Sequence, residues 1–273
     1  MQALRRPYNR DVTPILTFDL ETVPDVDGLR QLRPHWGDLD DRGIAAQAMA
    51  ERRERTGSDF LPLHLHRVLV IGCGFRDESG FRVRSLGAAG DNEAKLIGDF
   101  FRLIDRYTPQ LVSWNGSAFD LPVLHYRALI HGVPARRYWD QGDDERQLRF
   151  SNYVNRYHLR HVDLMDVLSR YQPRAAAPLD EMARLSGFAG KLGMDGSRVW
   201  EAYCDGQIER IRAYCETDVV NTYLLYCRFR KIRGQLDEPA YAAELQVVRD
   251  ALAGCDGPVW QQFLNAWPAT PGP

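Results

Sequence analysis

The chain has 273 residues, of which 44% are hydrophobic and 26% are charged, and its formal net charge at pH 7 is −2. This composition excludes an intrinsically disordered chain, a collagen-like repeat and a disulfide-stapled miniprotein, and the small net charge provides no global positive field that would hold nucleic acid. The longest strongly apolar run, residues 68–75, is far shorter than the ~20 residues of a membrane-spanning helix, so we expect no membrane segment.

The first predicted element is a β-strand at residues 15–21, where Thr17, Asp19 and Glu21 share one face because alternate residues of a strand point to the same side. The stretch that follows, residues 25–60, is polar and rich in arginine. Part of it has a helical pattern, and we interpret the whole stretch as a helical insertion that covers one edge of the sheet.

Three more strands are predicted downstream. Residues 67–75 and 81–86 flank a turn sequence and form a hairpin, and residues 110–114 form a short strand. Asp91 precedes a helical pattern of apolar residues and is predicted to cap that helix. Residues 133–162 are polar and irregular, which indicates a long loop.

Helices dominate the second half of the sequence. One is predicted after the turn at residues 115–117, with Pro122 in its first turn and Gly132 just past its end. The others are predicted at residues 163–171, 178–186, 206–233 and 238–252, and the last six residues are expected to be frayed. Strands early in the chain and helices throughout predict an α/β fold, a mixed β-sheet flanked by helices. We assign residues 12–235 to one domain and residues 236–273 to a C-terminal helical extension and tail.

Three acidic clusters are candidates for metal-dependent chemistry, although each has an ordinary structural alternative. Asp19 and Glu21 would lie side by side on a core strand, which is costly unless a cation neutralises both carboxylates. Asp120 lies where a strand leads into a helix, a position that also suits a simple helix cap. Asp218 lies one helical turn beyond Tyr214 on an inward-facing stripe, so a salt bridge or a divalent cation must compensate its buried charge.

Taken in this order, the motifs Asp-x-Glu, Asn-x-x-x-Phe-Asp and Tyr-x-x-x-Asp resemble those of the DEDD superfamily of 3′→5′ exonucleases, and the tyrosine marks the DEDDy branch. The segments at residues 161–166, 190–196 and 214–223 narrow this resemblance to a bacterial family of predicted exonucleases related to the proofreading exonuclease domain of family B DNA polymerases. Members of the superfamily have a ribonuclease-H-like fold, so the resemblance implies this fold for residues 12–235.

The resemblance implies a site with two Mg²⁺ or Mn²⁺ ions. Four acids would hold the ions, with the first of them bridging both: Asp19, Glu21, Asp120 and Asp218. Tyr214 would orient the attacking water, because a phenol with a pKa of about 10 is a poor base at neutral pH. Four residues are candidates for substrate binding, namely Leu20, Thr22, Asn115 and Phe119. Leu20 and Thr22 flank the acids, whereas Asn115 is equally explained as a turn residue and Phe119 as a core residue.

The implied activity is metal-dependent hydrolysis of phosphodiester bonds at the 3′ end of single-stranded or frayed DNA, by a two-metal-ion mechanism. The partner would be single-stranded nucleic acid, DNA in preference to RNA, and the sequence does not identify any protein partner. Two alternatives remain open, a 3′→5′ exoribonuclease and a non-catalytic nucleic-acid-binding module on a nuclease scaffold. The five scattered cysteines and the lack of a secretory signal predict a protein of the reducing cytoplasm.

Overall fold

A mixed five-stranded β-sheet lies at the centre of the computed structural model, which describes residues 13–267. Its strands are β1 (Ile15–Pro24), β2 (His66–Asp77), β3 (Gly80–Ser85), β4 (Gln110–Ser113) and β5 (His161–Asp163). The order across the sheet is β3-β2-β1-β4-β5, in which β1, β2 and β3 are antiparallel neighbours and β1, β4 and β5 are parallel neighbours. The sheet therefore has the ribonuclease-H-like arrangement that the sequence resemblance implied.

Helices cover both faces of the sheet. In the described part of the chain they are α1 (Val26–Leu32), α2 (Asp41–Thr56), α3 (Glu93–Tyr107), α4 (Asp120–His131), α5 (Arg136–Trp139), α6 (Leu164–Leu168), α7 (Leu179–Leu185), α8 (Val199–Cys204), α9 (Ile208–Ile232), α10 (Glu238–Ala253) and α11 (Pro258–Ala266). Helices α3, α4 and α5 share one apolar cluster with the sheet, and α7, α9, α10 and α11 share another. None of the helices within residues 13–267 is both long and apolar enough to cross a lipid bilayer.

Strand β1 contributes to both faces because its side chains alternate between them. Leu16, Phe18 and Leu20 pack into the apolar cluster with α3 and α4. Asp19 and Glu21 occupy the alternate positions, on the face against which α9 packs. A shift in the β1–β2 register directly after Glu21 ends this regular alternation.

Two glycines of β2 let α9 approach the sheet closely at this point. Gly72 pairs with Asp19 across the β1–β2 ladder, and a Cβ atom on Gly72 would lie 2.8 Å from Sγ of Cys215. A Cβ atom on Gly74 would lie 2.9 Å from Cγ1 of Val219. These distances are shorter than van der Waals contact, so larger residues here would push α9 and its side chains away from β1.

The stretch at residues 25–60 forms a small layer with an apolar cluster of its own. Helices α1 and α2 build this cluster, which also reaches Trp200 of α8. Arg127 of α4 is 3% exposed and donates hydrogen bonds to the carboxylates of Asp25, just before α1, and Glu93, in α3. This buried ion-pair network joins the layer to α3 and α4, which pack on the sheet.

Helix α3 begins one residue later than the sequence predicted. The side chain of Asn92 accepts a hydrogen bond from the backbone N–H of Lys95 (2.9 Å), so Asn92 and not Asp91 is its cap. Asp91 instead forms an ion pair with the Lys95 side chain (2.8 Å). Asp and Asn both cap helices well, so the sequence pattern alone does not distinguish Asp91 from Asn92 as the cap.

Residues 133–162, predicted as a loop, contain a short helix and lead into a strand. Helix α5 is held by Tyr138, whose ring stacks on that of Tyr153 with 5.6 Å between the centroids, and β5 is a three-residue edge strand that pairs with β4. Elements this short have no periodicity that a sequence can reveal, and tertiary contacts stabilise them. The predicted fraying at residues 268–273 lies outside the described residues.

Candidate active site

The candidate site is a cavity of about 640 Å³ bordered by β1, the turn before α4, the segment before α8, and α9. Asp19 and Glu21 of β1 line it together with Tyr214 and Asp218 of α9. Tyr214 and Asp218 are four residues apart, about one helical turn, so α9 presents both side chains on one side. Three carboxylates therefore meet where the end of β1 faces α9.

Asp120 is the first residue of α4 and is 3% exposed. Phe119 occupies the N-cap position of α4, so Asp120 is not the simple helix cap that the structural alternative supposed. Burial, followed by the negative charge of Asp120, raises the pKa of Asp19 well above its ordinary value. Asp120 is thus close enough to Asp19 to act on it, and the fold brings all four acids of the motifs together.

Burial dominates the electrostatics of these carboxylates. It raises the pKa of Glu21 well above its ordinary value, and the negative charges of Asp19 and Asp218 add to the effect. It raises the pKa of Asp120 to about 7. It also raises the pKa of Asp218, although the positive charge of Lys191 opposes the effect. Full ionisation of all four acids at neutral pH is therefore costly unless further positive charge enters the site.

Two carboxylate oxygens of the site have no hydrogen-bond partner among the described residues. They are Oδ1 of Asp120 and Oδ1 of Asp218, and both are buried. One ligand atom each from Asp19, Glu21 and Cys215 also lies within 4.8 Å of the others. Unpaired carboxylate oxygens are the ligands that hard divalent cations prefer, so the residues present fit Mg²⁺ or Mn²⁺.

The thiol of Cys215 packs against the first of these carboxylates. Its Sγ lies 3.4 Å from the backbone oxygen of Asp19 and 3.7 Å from Oδ2 of the same residue. Burial raises the pKa of the thiol well above its ordinary value, and the negative charge of Asp19 adds to the effect. Without a bound cation, Cys215 therefore keeps its proton and donates a hydrogen bond to Asp19. Sequence reasoning did not single it out, although it follows Tyr214 directly in the third motif.

Lys191 is a site residue that the sequence analysis missed. Its ammonium group forms an ion pair with Oδ2 of Asp218 (3.0 Å) and donates a hydrogen bond to the hydroxyl oxygen of Tyr214. The same group lies 4.8 Å from the centroid of the Tyr214 ring. Residues 190–196 contributed to the family resemblance, but a lone lysine outside any helix or strand gave no local signal for this contact.

The turn that carries Asn115 is held by a further buried acid. Asp163 accepts hydrogen bonds from the backbone N–H groups of Asn115 (2.9 Å) and Ser117 (2.8 Å). Asn115 adopts the left-handed backbone conformation (φ 68°), which asparagine tolerates better than most residues. It also lines the cavity, so its shaping of the turn and its predicted contact with substrate are compatible.

The other predicted substrate-binding residues line the same cavity in different ways. Leu20 is 5% exposed and packs in the apolar cluster with α3 and α4. The hydroxyl oxygen of Thr22 lies 2.9 Å from Nδ1 of His66. Phe119 is partly buried against the core, and its ring contacts the rings of His66 and Phe60. Phe119 thus belongs to the core and to the cavity wall at once.

Comparison with known proteins relates this chain to DNA polymerases. Residues 58–267 match the model of a family described as a predicted 3′-5′ exonuclease related to the exonuclease domain of PolB. A DNA polymerase of Archaeoglobus fulgidus is 29% identical over 137 residues, which are 49% of this chain and 17% of the polymerase. The family B DNA polymerase from the hyperthermophilic archaeon Pyrobaculum calidifontis has a TM-score of 0.49 and 17% identity, over 96% of this chain and 28% of the polymerase.

This chain therefore spans less than a third of the length of either polymerase. The family match contains Asp120, Lys191, Tyr214 and Asp218. It begins downstream of β1, whose Asp19 and Glu21 line the same cavity as Lys191, Tyr214 and Asp218. Because the match spans more than half of the 273 residues, the chain belongs to the family of predicted 3′-5′ exonucleases related to the exonuclease domain of PolB.

Proposed function

We propose that this protein is a metal-dependent 3′→5′ exonuclease of the DEDDy type that acts on single-stranded or frayed DNA. The observation that carries the proposal is a group of four buried or half-buried acids, of which Asp19, Glu21 and Asp218 line one open cavity. The charge of the fourth, Asp120, acts on Asp19, and two buried carboxylate oxygens of the group have no hydrogen-bond partner among the described residues. Buried carboxylates without enough partners oppose folding, so their presence together is best explained by a bound cation. Membership of the exonuclease family supports the same reaction class.

The four acids would divide the work of holding two Mg²⁺ or Mn²⁺ ions. Asp19 would contribute to both, Glu21 and Asp218 to the first, and Asp120 to the second. The bound ions would supply a nucleophilic water and would neutralise charge that develops on the phosphate and the leaving oxygen. The protein contributes a fixed set of oxygen ligands on β1, α4 and α9, which need not reorganise when substrate binds.

Tyr214 is suited to orient the attacking water and unsuited to deprotonate it. Burial raises the pKa of Tyr214 well above that of a free phenol, and the negative charges of Asp218 and Glu21 add to the effect, so the hydroxyl keeps its proton. Lys191 has no acceptor, so in their hydrogen bond Lys191 is the donor and the Tyr214 oxygen the acceptor. The hydroxyl hydrogen of Tyr214 is therefore free to donate to a water or to Asp218.

The burial of the site favours a single strand as substrate. Glu21, Asp120 and Asp218 are each less than 10% exposed, so the scissile phosphate must enter the cavity to reach them. A duplex end would first have to unpair its terminal nucleotides, at a cost of a few kcal/mol, whereas a single strand would not. The choice of DNA over RNA rests on the relationship to DNA polymerases.

The test uses end-labelled oligonucleotides of one sequence as single-stranded DNA, RNA and blunt duplex, in Mg²⁺ or Mn²⁺. We expect a ladder that shortens from the 3′ end of single-stranded DNA and that chelation abolishes. Asp19→Asn and Asp218→Asn should each nearly eliminate turnover while circular dichroism shows an intact fold. Asp256→Asn, at an exposed position between α10 and α11, is the matched control and should be fully active.

Results that differ from these expectations would contradict particular parts of the proposal. Unimpaired hydrolysis by either variant would refute the metal assignment. Faster loss of the RNA ladder would favour an exoribonuclease, and binding of the strand without any cleavage would favour a non-catalytic module. Cleavage of a circular single strand would overturn the exonuclease interpretation altogether.

A further inference from the structure

The layer formed by residues 25–60 supplies one wall of the active-site cavity. Met49 of α2 and Phe60, together with the adjacent Leu61, line the same cavity as Asp19 and Asp218. Among them Phe60 is distinctive, because 53% of its surface is exposed although it is a large apolar side chain. The cavity therefore combines carboxylates with an accessible aromatic ring.

The ring of Phe60 rests on two other rings of the cavity wall. Its centroid lies 4.9 Å from that of His66 and 5.8 Å from that of Phe119. Nε2 of His66 lies 3.1 Å from the backbone oxygen of Leu61, which can only accept, so Nε2 is the donor and Nδ1 accepts from the Thr22 hydroxyl. Burial lowers the pKa of His66, so the ring under Phe60 is neutral at physiological pH.

The backbone around Phe60 is fixed by hydrogen bonds. The N–H of Phe60 donates to the side-chain oxygen of Ser58 (3.2 Å), and its carbonyl oxygen accepts from Nε of Arg52 in α2 (3.2 Å). Arg53 forms an ion pair with Asp59 (2.5 Å) at the neighbouring position. The exposed ring is therefore held in place by its supports rather than carried on an unsupported loop.

Exposed apolar residues are common on protein surfaces, so the exposure of a side chain does not by itself indicate a binding site. Phe150, for example, is 81% exposed, and it is not among the residues that line the cavity. What distinguishes Phe60 is that it shares the cavity with the acids. A nucleotide whose phosphate reaches those acids must place its base against a neighbouring wall, and a neutral aromatic face stacks on any base.

We propose that Phe60 is the platform on which the 3′-terminal base of the substrate stacks. This inference rests on the exonuclease function proposed above, and it names the part of the substrate that the 25–60 layer recognises. Because every base has an aromatic face, the platform tolerates all sequences, and it holds purines more tightly than pyrimidines by their larger stacking area. Phe119 and His66 act as supports that orient the Phe60 ring.

The test compares Phe60→Ala with Phe60→Tyr, which keeps a ring, and with Phe150→Ala, which removes a more exposed ring outside the cavity. Binding of single-stranded DNA is measured by fluorescence anisotropy in Ca²⁺, and hydrolysis is measured in Mg²⁺. The oligonucleotides end in a normal nucleotide, end in an abasic one, or carry an abasic nucleotide four positions from the 3′ end. A 3′-terminal 2-aminopurine reports stacking through quenching of its fluorescence.

We expect Phe60→Ala to weaken binding of the normal end by about 5- to 100-fold and to abolish the quenching, in line with the loss of one stacked base. The same substitution should not weaken binding of the abasic end, whereas Phe60→Tyr and Phe150→Ala should behave as wild type. Wild-type protein should bind the terminal abasic strand less tightly than the strand with the internal abasic position.

The outcomes distinguish failure of the stacking proposal from failure of the proposed exonuclease activity. If the wild-type protein hydrolyses the strand and Phe60→Ala discriminates normal from abasic ends as well as wild type does, the platform is refuted and the nuclease stands. If the internal abasic position is the sensitive one, the assignment to the terminal base is refuted. If the wild-type protein hydrolyses none of the strands, the proposed function fails and the inference with it.

Discussion

Replacing Asp120 by asparagine should stabilise the protein when no divalent cation is present. Asp120 is 3% exposed, and one of its carboxylate oxygens has no hydrogen-bond partner among residues 13–267. Burial raises its pKa from the ordinary value of 3.8 to about 7. Above that pH the folded protein holds an ionised carboxylate that the unfolded chain would expose to water, and asparagine removes this charge while keeping the shape of the side chain.

The size and sign of the effect follow from the two pKa values. The interval from 3.8 to about 7 corresponds to about 4 kcal/mol of destabilisation by the ionised group. Because the pKa is raised in the folded state, the penalty is absent at low pH, grows as the pH rises from about 4 to about 7, and is constant above. The buried amide of asparagine costs about 1–3 kcal/mol for its own unsatisfied group. The free energy of unfolding should therefore rise by about 1–3 kcal/mol at pH 8, and the gain should disappear near pH 5.

Urea unfolding in a chelator, at pH 8 and at pH 5, measures this difference directly. Asp140→Asn is the matched control, because Asp140 is also buried but accepts hydrogen bonds from four backbone N–H groups, at residues 142–145. Burial tends to raise the pKa of Asp140, but the hydrogen bonds from the Gly142, Asp144 and Glu145 backbones outweigh burial and lower it. Loss of the Asp140 charge should therefore destabilise the protein at pH 8.

Two results would refute this reasoning. A lower stability of Asp120→Asn than of wild type at pH 8 in chelator would mean that the carboxylate charge does not destabilise the folded state. An equal gain in the free energy of unfolding at pH 5 and pH 8 would mean that the effect does not come from ionisation of Asp120. Added Mn²⁺ should raise the Tm of the wild type more than that of the variant, because a cation that binds only the folded state stabilises it more when it binds more tightly.

Three shorter predictions concern the reaction. Tyr214→Phe keeps the ring and should lower the hydrolysis rate by roughly 10- to 1000-fold with little change in the Kd for single-stranded DNA, whereas a wild-type rate would make the tyrosine structural. Lys191→Met removes the charge beside Asp218 and the hydrogen-bond donor to Tyr214, so kcat should fall. A rate–pH profile with the same shape and height as that of wild type would refute a positioning role for Lys191. A 3′-terminal mismatch should speed digestion of a duplex relative to a fully paired end, as gel assays of matched duplexes can show, because fewer base pairs must open.

The sequence was most informative where local geometry alone decides which side chains meet. Alternation along β1 predicted that Asp19 and Glu21 share a face, and the helical repeat predicted that Asp218 follows Tyr214 on one stripe. Both relations hold in the fold, in which all four side chains line one cavity. The α/β class and the mixed sheet are confirmed as well, because strands longer than five residues and long amphipathic helices leave a clear periodic signal.

The sequence was least informative where distant segments decide the structure. Strand β5 has three residues and exists because it pairs with β4, so no local pattern marked it. Lys191 lies 27 residues before Asp218 in a segment without regular structure, and its contact depends on how that segment folds over α9. The sequence places Phe60 within a polar insertion, and a single aromatic residue there does not reveal that the insertion lies beside the acids.

The acids of the site oppose folding, so the packing around them must hold them in place. Within residues 13–267, the ion pairs of the structure bring one cation, Lys191, to these four acids, and it contacts only Asp218 of the four. Asp19 and Glu21 are fixed instead by the ladder that β1 forms with β2, where Gly72 lets α9 come close. The apolar layers on both faces of the sheet therefore hold a group of charges that would otherwise move apart. In such a site, substitutions that remove a charge should raise stability and lower activity together. A bound cation should reverse the difference in stability, because it stabilises the wild type more than the variant.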